Sequence, residues 1–246
     1  MDEKQAPMLP PVRRGLSPLR LALAAGYLAF VALVYFCFTP QIPLTGAVFL
    51  TRDQESIIAH KLVPLEAHIM SKCPDARDCL RDLVLPTMQR VHDKVNFTLS
   101  YIGTPTDEDD GVSCKHGPEE CLGNIIELCA RHLYPDPKTY LGFTMCLTRD
   151  YTLIPQRSLI EDCALEHAVD FDKLNECATR DNGAFGVGLL RESVVRSAEA
   201  GVTKSCTVRL NNEIYCIRDG GQWKDCPSGP GVNDLVIAIR KLYSSS

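Results

Sequence analysis

The chain has 246 residues, 45% of them hydrophobic and 23% charged, an ordinary globular composition with room for one good-sized domain and a small extra part. A net charge of −5 and a pI near 5.7, with no basic stripe, exclude nucleic acid as the main partner. Twelve cysteines are the unusual feature, and behind a membrane-targeting segment they point to disulfides in an oxidising compartment rather than to cytosolic metal sites.

Residues 1–20 are Pro-rich and charged and are read as a disordered cytoplasmic tail. Leu21 to Phe38 is a stretch of 18 residues without a charge. As a helix it spans about 27 Å, close to the roughly 30 Å of a hydrocarbon core, and it exceeds the apolar region of about 7–15 residues usual in signal peptides. Arg13, Arg14 and Arg20 precede it and the next charge is Arg52, so the N-terminus is expected to stay cytoplasmic. The reading is a single-pass transmembrane signal anchor over 21–38, a stalk over 39–60 opened by Pro40 and Pro43, and a lumenal domain over 61–243. The alternative is a cleaved signal peptide, with Thr45-Gly46-Ala47 as a weak cleavage site and a secreted product. Cys37, inside the segment, is read as lipid-facing. Asn96-Phe97-Thr98 is a glycosylation sequon in keeping with lumenal topology.

The domain opens with an apolar strand, Leu62 to Met70, followed by Ser71-Lys72-Cys73-Pro74-Asp75-Ala76-Arg77-Asp78-Cys79. Apolar positions Leu80, Leu83, Val84, Met88 and Val91 then recur at helical spacing. A cysteine at a strand-to-helix junction faces helix N-terminal amides, which favour a thiolate, and Pro74 suits the first helical turn. Pro86 is expected to kink the helix. A second strand near Lys94–Ile102 makes a right-handed strand–helix–strand unit and hence a parallel pair. Gly103 to Gly111 is read as a solvated loop; its run Asp107-Glu108-Asp109-Asp110 lacks the alternating ligands and turn glycine of a calcium loop.

A helix is predicted from Pro118, with Cys114, Cys121 and Cys129 at or on it and Ile125 and Leu128 on the same side as Cys129. Gaps of this length do not suit zinc knuckles, so disulfides tying this helix to the core are expected, and His116 is read as a surface or capping group. Three short helices, Thr139–Thr148, Ser158–His167 and Asp170–Thr179, carry Cys146, Cys163 and Cys177. Ala184–Ala200 is a longer amphipathic helix stopped by Gly201. A hairpin follows: Cys206 to Leu210, the turn Asn211-Asn212, then Glu213 to Arg218. An unbroken two-residue-turn register pairs Cys206 with Ile217 and sets Cys216 against Thr207, so Cys206 and Cys216 face opposite sides. Cys216 is instead expected to reach Cys226 across the glycine-rich loop Asp219–Lys224. Asn233 is read as the cap of a last helix through Tyr243, with Leu235, Ile239 and Leu242 facing inward. With 103–183 set aside, the order is strand, helix, strand, helix, hairpin, helix: an α/β chain of thioredoxin-like fold with a disulfide-rich helical insert of roughly 80 residues between its halves, preceded by the transmembrane helix.

The segment Cys114-Lys115-His116-Gly117-Pro118-Glu119-Glu120-Cys121-Leu122-Gly123-Asn124, closing at Cys129, resembles the signature of the gamma-interferon-inducible lysosomal thiol reductase family, C-Q-H-G-x-x-E-C-x-x-N-x-x-x-x-C. Only Lys115 departs, in place of Gln. The resemblance extends to Cys73-Pro74-Asp75 and Pro86 and spans about Leu62–Tyr243. It implies a thioredoxin-like fold and reduction of protein disulfides in an acidic lumenal, lysosome-like or vacuolar compartment. Two departures stand out. Ala76 holds the place of the family's second active-site cysteine, and Ser205-Cys206-Thr207 holds the place of the cis-proline that opens the hairpin beside such sites.

A dithiol reductase needs one thiolate to attack and a second thiol to resolve the mixed disulfide. Cys73 is the expected attacker, aided by the helix N-terminus, Lys72 and Arg77 and offset by Asp75 and Asp78. The candidate resolvers are Cys79, a long reach unless the loop folds back, and Cys206; without them Cys73 acts as a monothiol with an external thiol. Eleven cysteines lie beyond the membrane segment, so at least one is unpaired within the chain, with Cys73 the preferred free thiol. The remaining cysteines, Cys114, Cys121, Cys129, Cys146, Cys163, Cys177, Cys216 and Cys226, are read as structural. No cofactor or metal is expected; the expected partners are disulfide-containing polypeptides and, through Leu21–Phe38, the membrane. The alternative function is a catalytically inactive, disulfide-stapled lumenal module that binds polypeptides, with Cys73–Cys79 as a structural disulfide. A zinc-binding domain is the third reading.

Overall fold

The computed structural model describes residues 34–35, 61–107 and 111–245. The tail, nearly all of the signal anchor, the stalk and residues 108–110 of the acidic run lie outside the described residues. Among those described, no helix is long and apolar enough to cross a membrane. The chain divides after Ser56, and the fold below is that of the second unit, Ile57–Ser246.

Strand β1 (Val63–Ile69) alternates: buried His68 reaches Ser197 on a later helix, so Leu65, Ala67 and Ile69 point to the opposite face, where they are buried too. It pairs in parallel with β2 (Val95–Tyr101) through a helical crossover. The crossover is α1 (Pro74–Cys79), a π segment (Leu80–Val84) and α2 (Leu85–Val91). Pro86 offers no amide hydrogen, and the turns directly ahead of it, Leu80–Val84, are π rather than α. Leu80, Leu83, Val84, Met88 and Val91 are all buried.

Residues 103–183 hold two short paired strands, β3 (Thr104–Pro105) and β4 (Val112–Ser113), and four helices: α3 (Pro118–Leu133), α4 (Pro137–Arg149), α5 (Arg157–Glu166) and α6 (Phe171–Thr179). The β3–β4 pair replaces the simple loop expected there. Helix α7 (Ala184–Glu199) follows and docks on the end of β2, where Ser193 Oγ accepts from the Tyr101 amide at 2.8 Å and Ser197 Oγ donates to the Tyr101 carbonyl at 2.8 Å. Gly201, at φ +69°, ends that helix in the left-handed conformation.

Strand β5 (Thr207–Leu210) runs antiparallel to β1, and β6 (Glu213–Asp219) and β7 (Gln222–Lys224) complete the sheet in the order β2-β1-β5-β6-β7. The last helix, α8 (Val232–Ser244), packs on α2. The parallel β1–α1/α2–β2 unit, α7 and the antiparallel β5–β6 hairpin with its closing helix form a thioredoxin-like fold with the insert between its halves.

Three details depart from the expectations. A β-bulge between Val208 and Arg209 shifts the hairpin register, so Thr207 rather than Cys206 faces Ile217 and Val208 faces Cys216. Cys206 now exchanges backbone hydrogen bonds with Arg218, which puts Cys206 and Cys216 on the same side of the sheet. Gly220 and Gly221, both at positive φ, turn the expected glycine-rich loop into a hairpin with β7. Gly231, not Asn233, precedes the last helix; its amide donates to Asp234 at 3.0 Å, while Asn233 Oδ1 accepts from Arg90 at 2.5 Å.

Five disulfides are formed among the described residues. Cys129–Cys177 joins α3 to α6 and Cys146–Cys163 joins α4 to α5, so the insert is stapled to itself rather than to the sheet core. Cys114–Cys121 closes the turn before α3, Cys216–Cys226 spans the β6–β7 hairpin, and Cys79–Cys206 ties α1 to the start of β5.

Candidate active site

Cys73 immediately precedes α1, with extended backbone (φ −98°, ψ 127°), and its carbonyl accepts from the Ala76 and Arg77 amides at 3.1 and 3.3 Å. It is the free cysteine of the described residues. The residue is buried, at 8% exposure, and its thiol donates to the Ser205 carbonyl at 3.7 Å. The sulfur is therefore held less open than an accessible nucleophile would be. Met70 links both sides: its carbonyl accepts from the Cys73 amide at 3.0 Å and its amide donates to Ser205 Oγ at 2.9 Å. Met70 also borders a groove of about 640 Å³, together with Ile102, Cys114, Lys115, Val202 and Thr203.

The two candidate resolvers are bonded to one another. Cys79 and Cys206 are fully buried and their Cα atoms lie 6.2 Å apart, so in this state neither presents a thiol, and the Cys73–Cys79 structural disulfide is not formed. Ala76 is also fully buried, one helical turn before Cys79. The peptide bond Ser205–Cys206 is cis, at the place taken by the proline in the family the sequence resembles.

The cations expected beside Cys73 are engaged elsewhere. Lys72 Nζ donates to Glu119 at 2.7 Å and to the Ile154 carbonyl at 2.5 Å, fastening the site loop to the insert. Arg77 pairs with Asp78 at 2.9 Å and lies over the Tyr151 ring. Asp75 accepts the Gly220 and Gly221 amides at 2.9 and 2.8 Å, so it anchors the β6–β7 turn against α1. Arg218 sits between Asp75 and Asp78 at 3.9 and 3.7 Å.

Sequence reasoning singles out the cysteines but not the polar clamp that positions them. Asn124 on α3 accepts the Ser71 amide at 3.0 Å and donates to Cys114 Sγ at 3.7 Å. Ser71 Oγ donates to the Glu120 carbonyl at 3.2 Å. A Cβ on Gly123 would come within 2.7 Å of Ser71 Oγ and closer still to an Ile154 methyl, so only glycine lets α3 approach the site loop this closely. His116 pairs through Nδ1 with buried Glu120 at 2.5 Å. The spacing of Glu120, Gly123 and Asn124 within the cysteine motif is the signal that could have found them. For zinc the residues do not fit: the sulfurs of Cys114, Cys121 and Cys129 are consumed by disulfides. The closest ligand-like group among the described residues, Cys146, Glu166 and His167, likewise has its sulfur bonded to Cys163.

Behind the clamp, Glu127 is buried on α3 and accepts from Tyr101 Oη at 2.6 Å, while its other carboxyl oxygen has no partner. Burial pushes the Glu127 carboxyl up to about 8, against 4.5 ordinarily, with the Tyr101 hydrogen bond opposing and Glu120 adding to the rise. A carboxyl whose folded value lies above its unfolded one binds more protons in the native state between those values, so its stabilising contribution is complete below about 4.5 and is lost as pH rises toward about 8. Buried His68, lowered from 6.5 chiefly by desolvation, contributes the opposite slope on the acid side. The difference between wild type and Glu127→Gln isolates the first effect. The variant is expected to gain stability relative to wild type as pH rises from 5 to 8, read as thermal midpoints across that range; parallel curves would refute the buried-acid assignment.

The chain is similar to known proteins over this region. Residues 64–167 match the model of the gamma interferon inducible lysosomal thiol reductase (GILT) family. A "GILT-like protein 1" of Drosophila melanogaster is 26% identical over 168 residues, covering 62% of this chain and 67% of that one. A gamma-interferon-responsive lysosomal thiol protein of Arabidopsis thaliana is 26% identical over 113 residues, covering 43% and 47%. A gamma-interferon-inducible lysosomal thiol reductase of Carassius auratus is 34% identical over 71 residues, covering 27% and 28%. The match thus spans about two thirds of the fly protein and less than half of the other two. Among solved structures, alpha-DsbA1 of Wolbachia pipientis aligns with a TM-score of 0.47 at 12% identity over 75% of this chain and 87% of that one. BdbD of Bacillus subtilis aligns at 0.47 and 15% identity over 74% and 88%.

Proposed function

We propose that this chain, which belongs to the gamma-interferon-inducible lysosomal thiol reductase family, is a thiol-disulfide oxidoreductase that reduces protein disulfides, with Cys73 as the attacking sulfur. The observation that carries the reading is the position of Cys73: unpaired, at the head of the first crossover helix of a thioredoxin-like fold, against the Ser205 carbonyl. The thiolate of Cys73 attacks one sulfur of a substrate disulfide, the other leaves as a thiolate that takes up a proton, and a mixed disulfide remains on Cys73.

The test is to mix the full chain with an unfolded, disulfide-containing polypeptide, quench with acid, alkylate and map the peptides. The reading requires a Cys73–substrate mixed disulfide. Its absence, with Cys73 inert or permanently oxidised, favours the second reading, a disulfide-stapled polypeptide-binding module with a lost catalytic site. That alternative draws support from buried Ala76 and from the 8% exposure of Cys73.

The compartment belongs to the same proposal: a lumenal, endolysosomal or vacuolar domain behind the signal anchor at 21–38, or a secreted form after cleavage. Asn96 is exposed on β2, an edge strand, where an N-linked glycan can be accommodated. In a eukaryotic host the protein is expected to show a glycosidase-sensitive mobility shift that disappears in Asn96→Gln; an unshifted wild type counts against lumenal exposure of this site.

A further inference from the structure

We propose that Cys79–Cys206 is the redox partner of Cys73, so that three cysteines on two chain segments do the work of the missing C-x-x-C pair. This relay rests on the reductase reading above. Among the described residues, Cys79–Cys206 is the disulfide whose two ends both sit on the segments that hold the free thiol. Cys79 closes the helix that Cys73 opens. Cys206 is peptide-bonded to Ser205, whose carbonyl lies 3.7 Å from Cys73 Sγ. Ala76 leaves no thiol at the usual resolving position, and Cys79 lies one helical turn further along. Cys206 is thus linked to both cysteines of that helix and its cap, to Cys73 through the adjoining Ser205 carbonyl and to Cys79 by a disulfide across a Cα separation of 6.2 Å, a span any ordinary disulfide covers. The other four disulfides are remote in sequence from both segments or close turns outside them.

The electron count closes. In the reduced protein, Cys73 attacks a substrate disulfide and releases one substrate thiol, leaving the substrate's second sulfur bonded to Cys73. The Cys206 thiolate attacks Cys73 Sγ, the second substrate thiol leaves and takes a proton, and Cys73–Cys206 forms. The Cys79 thiolate then attacks Cys206 Sγ, which frees Cys73 and leaves Cys79–Cys206. The substrate disulfide has gained two electrons and two protons, and the Cys79/Cys206 dithiol has lost them. A low-molecular-weight thiol reductant reopens Cys79–Cys206 in two exchanges. The arrangement in this structure, Cys73 free and Cys79–Cys206 closed, is the oxidised end of that cycle.

The test uses linkage rather than turnover, so it separates this relay from the reductase reading. In the full-length Cys79→Ser variant, mild oxidation with a low-molecular-weight disulfide is expected to give a Cys73–Cys206 linkage on non-reducing peptide mapping. Finding Cys73 and Cys206 each separately alkylated, in a variant whose circular dichroism matches wild type, overturns the relay even if Cys73 attacks substrate. Wild type supplies a second measurement that no folding defect can blur. Under native titration with a dithiol, Cys79–Cys206 is expected to open first, with the other four disulfides intact; opening last, or only in denaturant, overturns the proposal. Failure of the reductase reading alone appears differently, as an intact linkage pattern with no substrate bound to Cys73.

Discussion

Replacing Cys73 by Ser is expected to lower disulfide-reductase turnover by about 10³-fold or more, the scale of loss that follows removal of a covalent nucleophile. A hydroxyl is a far poorer nucleophile than a thiolate, and no step downstream of the mixed disulfide can proceed without it. The same change should leave the fold nearly untouched. Cys73 takes part in no disulfide, and a serine hydroxyl can still donate to the Ser205 carbonyl. Activity and thermal midpoint are therefore predicted to separate: turnover collapses while stability stays within about 1 kcal/mol of wild type, the range of a mild substitution. A Cys73→Ser protein that keeps half its turnover would remove Cys73 from the chemistry.

A large effect on stability is expected in the insert, second in the chain-entropy account only to that of Cys79–Cys206, whose ends are 127 residues apart. Cys129–Cys177 closes a loop of 48 residues between two buried sulfurs, and removing it in a Cys129→Ala/Cys177→Ala double variant is expected to cost about 4 kcal/mol in the chain-entropy account. The same account gives only about 2 kcal/mol for Cys114–Cys121, whose ends are 7 residues apart. Against a total stability on the order of 5–15 kcal/mol, the first loss consumes a large share and the second is tolerable. Urea unfolding midpoints of the two double variants decide the matter. If the Cys114–Cys121 variant is the weaker of the two, loop closure is not what these bridges contribute, and the hydrogen bonds that Asn124 makes to Ser71 and Cys114 matter more to stability than either loop.

Much of the architecture is legible because it is written in short-range periodicity. Alternation over 63–69, the helical spacing of Leu80, Leu83, Val84, Met88 and Val91, and the Asn211-Asn212 turn with both residues at positive φ each follow from local geometry. Cysteine parity is legible as well, since the odd number of cysteines after Cys37 leaves at least one without a partner among themselves whatever the connectivity. The hairpin register is not, because a bulge of one residue carries no pattern of its own yet turns each following side chain to the other face. The charges around Cys73 mislead for a related reason. Adjacency in sequence puts Lys72 beside the thiol, whereas its long stem carries the ammonium to Glu119 and Ile154 on the insert.

Local sequence is enough to set the order of elements, the thioredoxin-like halves with their insert, the cysteine motif and the altered C-x-x-C, since each is carried by residues within one or two turns of each other. Apart from Cys216–Cys226, whose ends lie 10 residues apart and whose pairing the sequence already suggests, which sulfurs meet is settled in the assembled fold alone. Cys79 and Cys206 are 127 residues apart, and nothing in any window of sequence sets their distance. It is set by the packing of α1 against β6, by the register of the bulged hairpin, and by the clamp that holds Ser71 to Asn124. Long-range contacts are products of how faces pack, and packing is a property of the assembled core rather than of any segment that enters it.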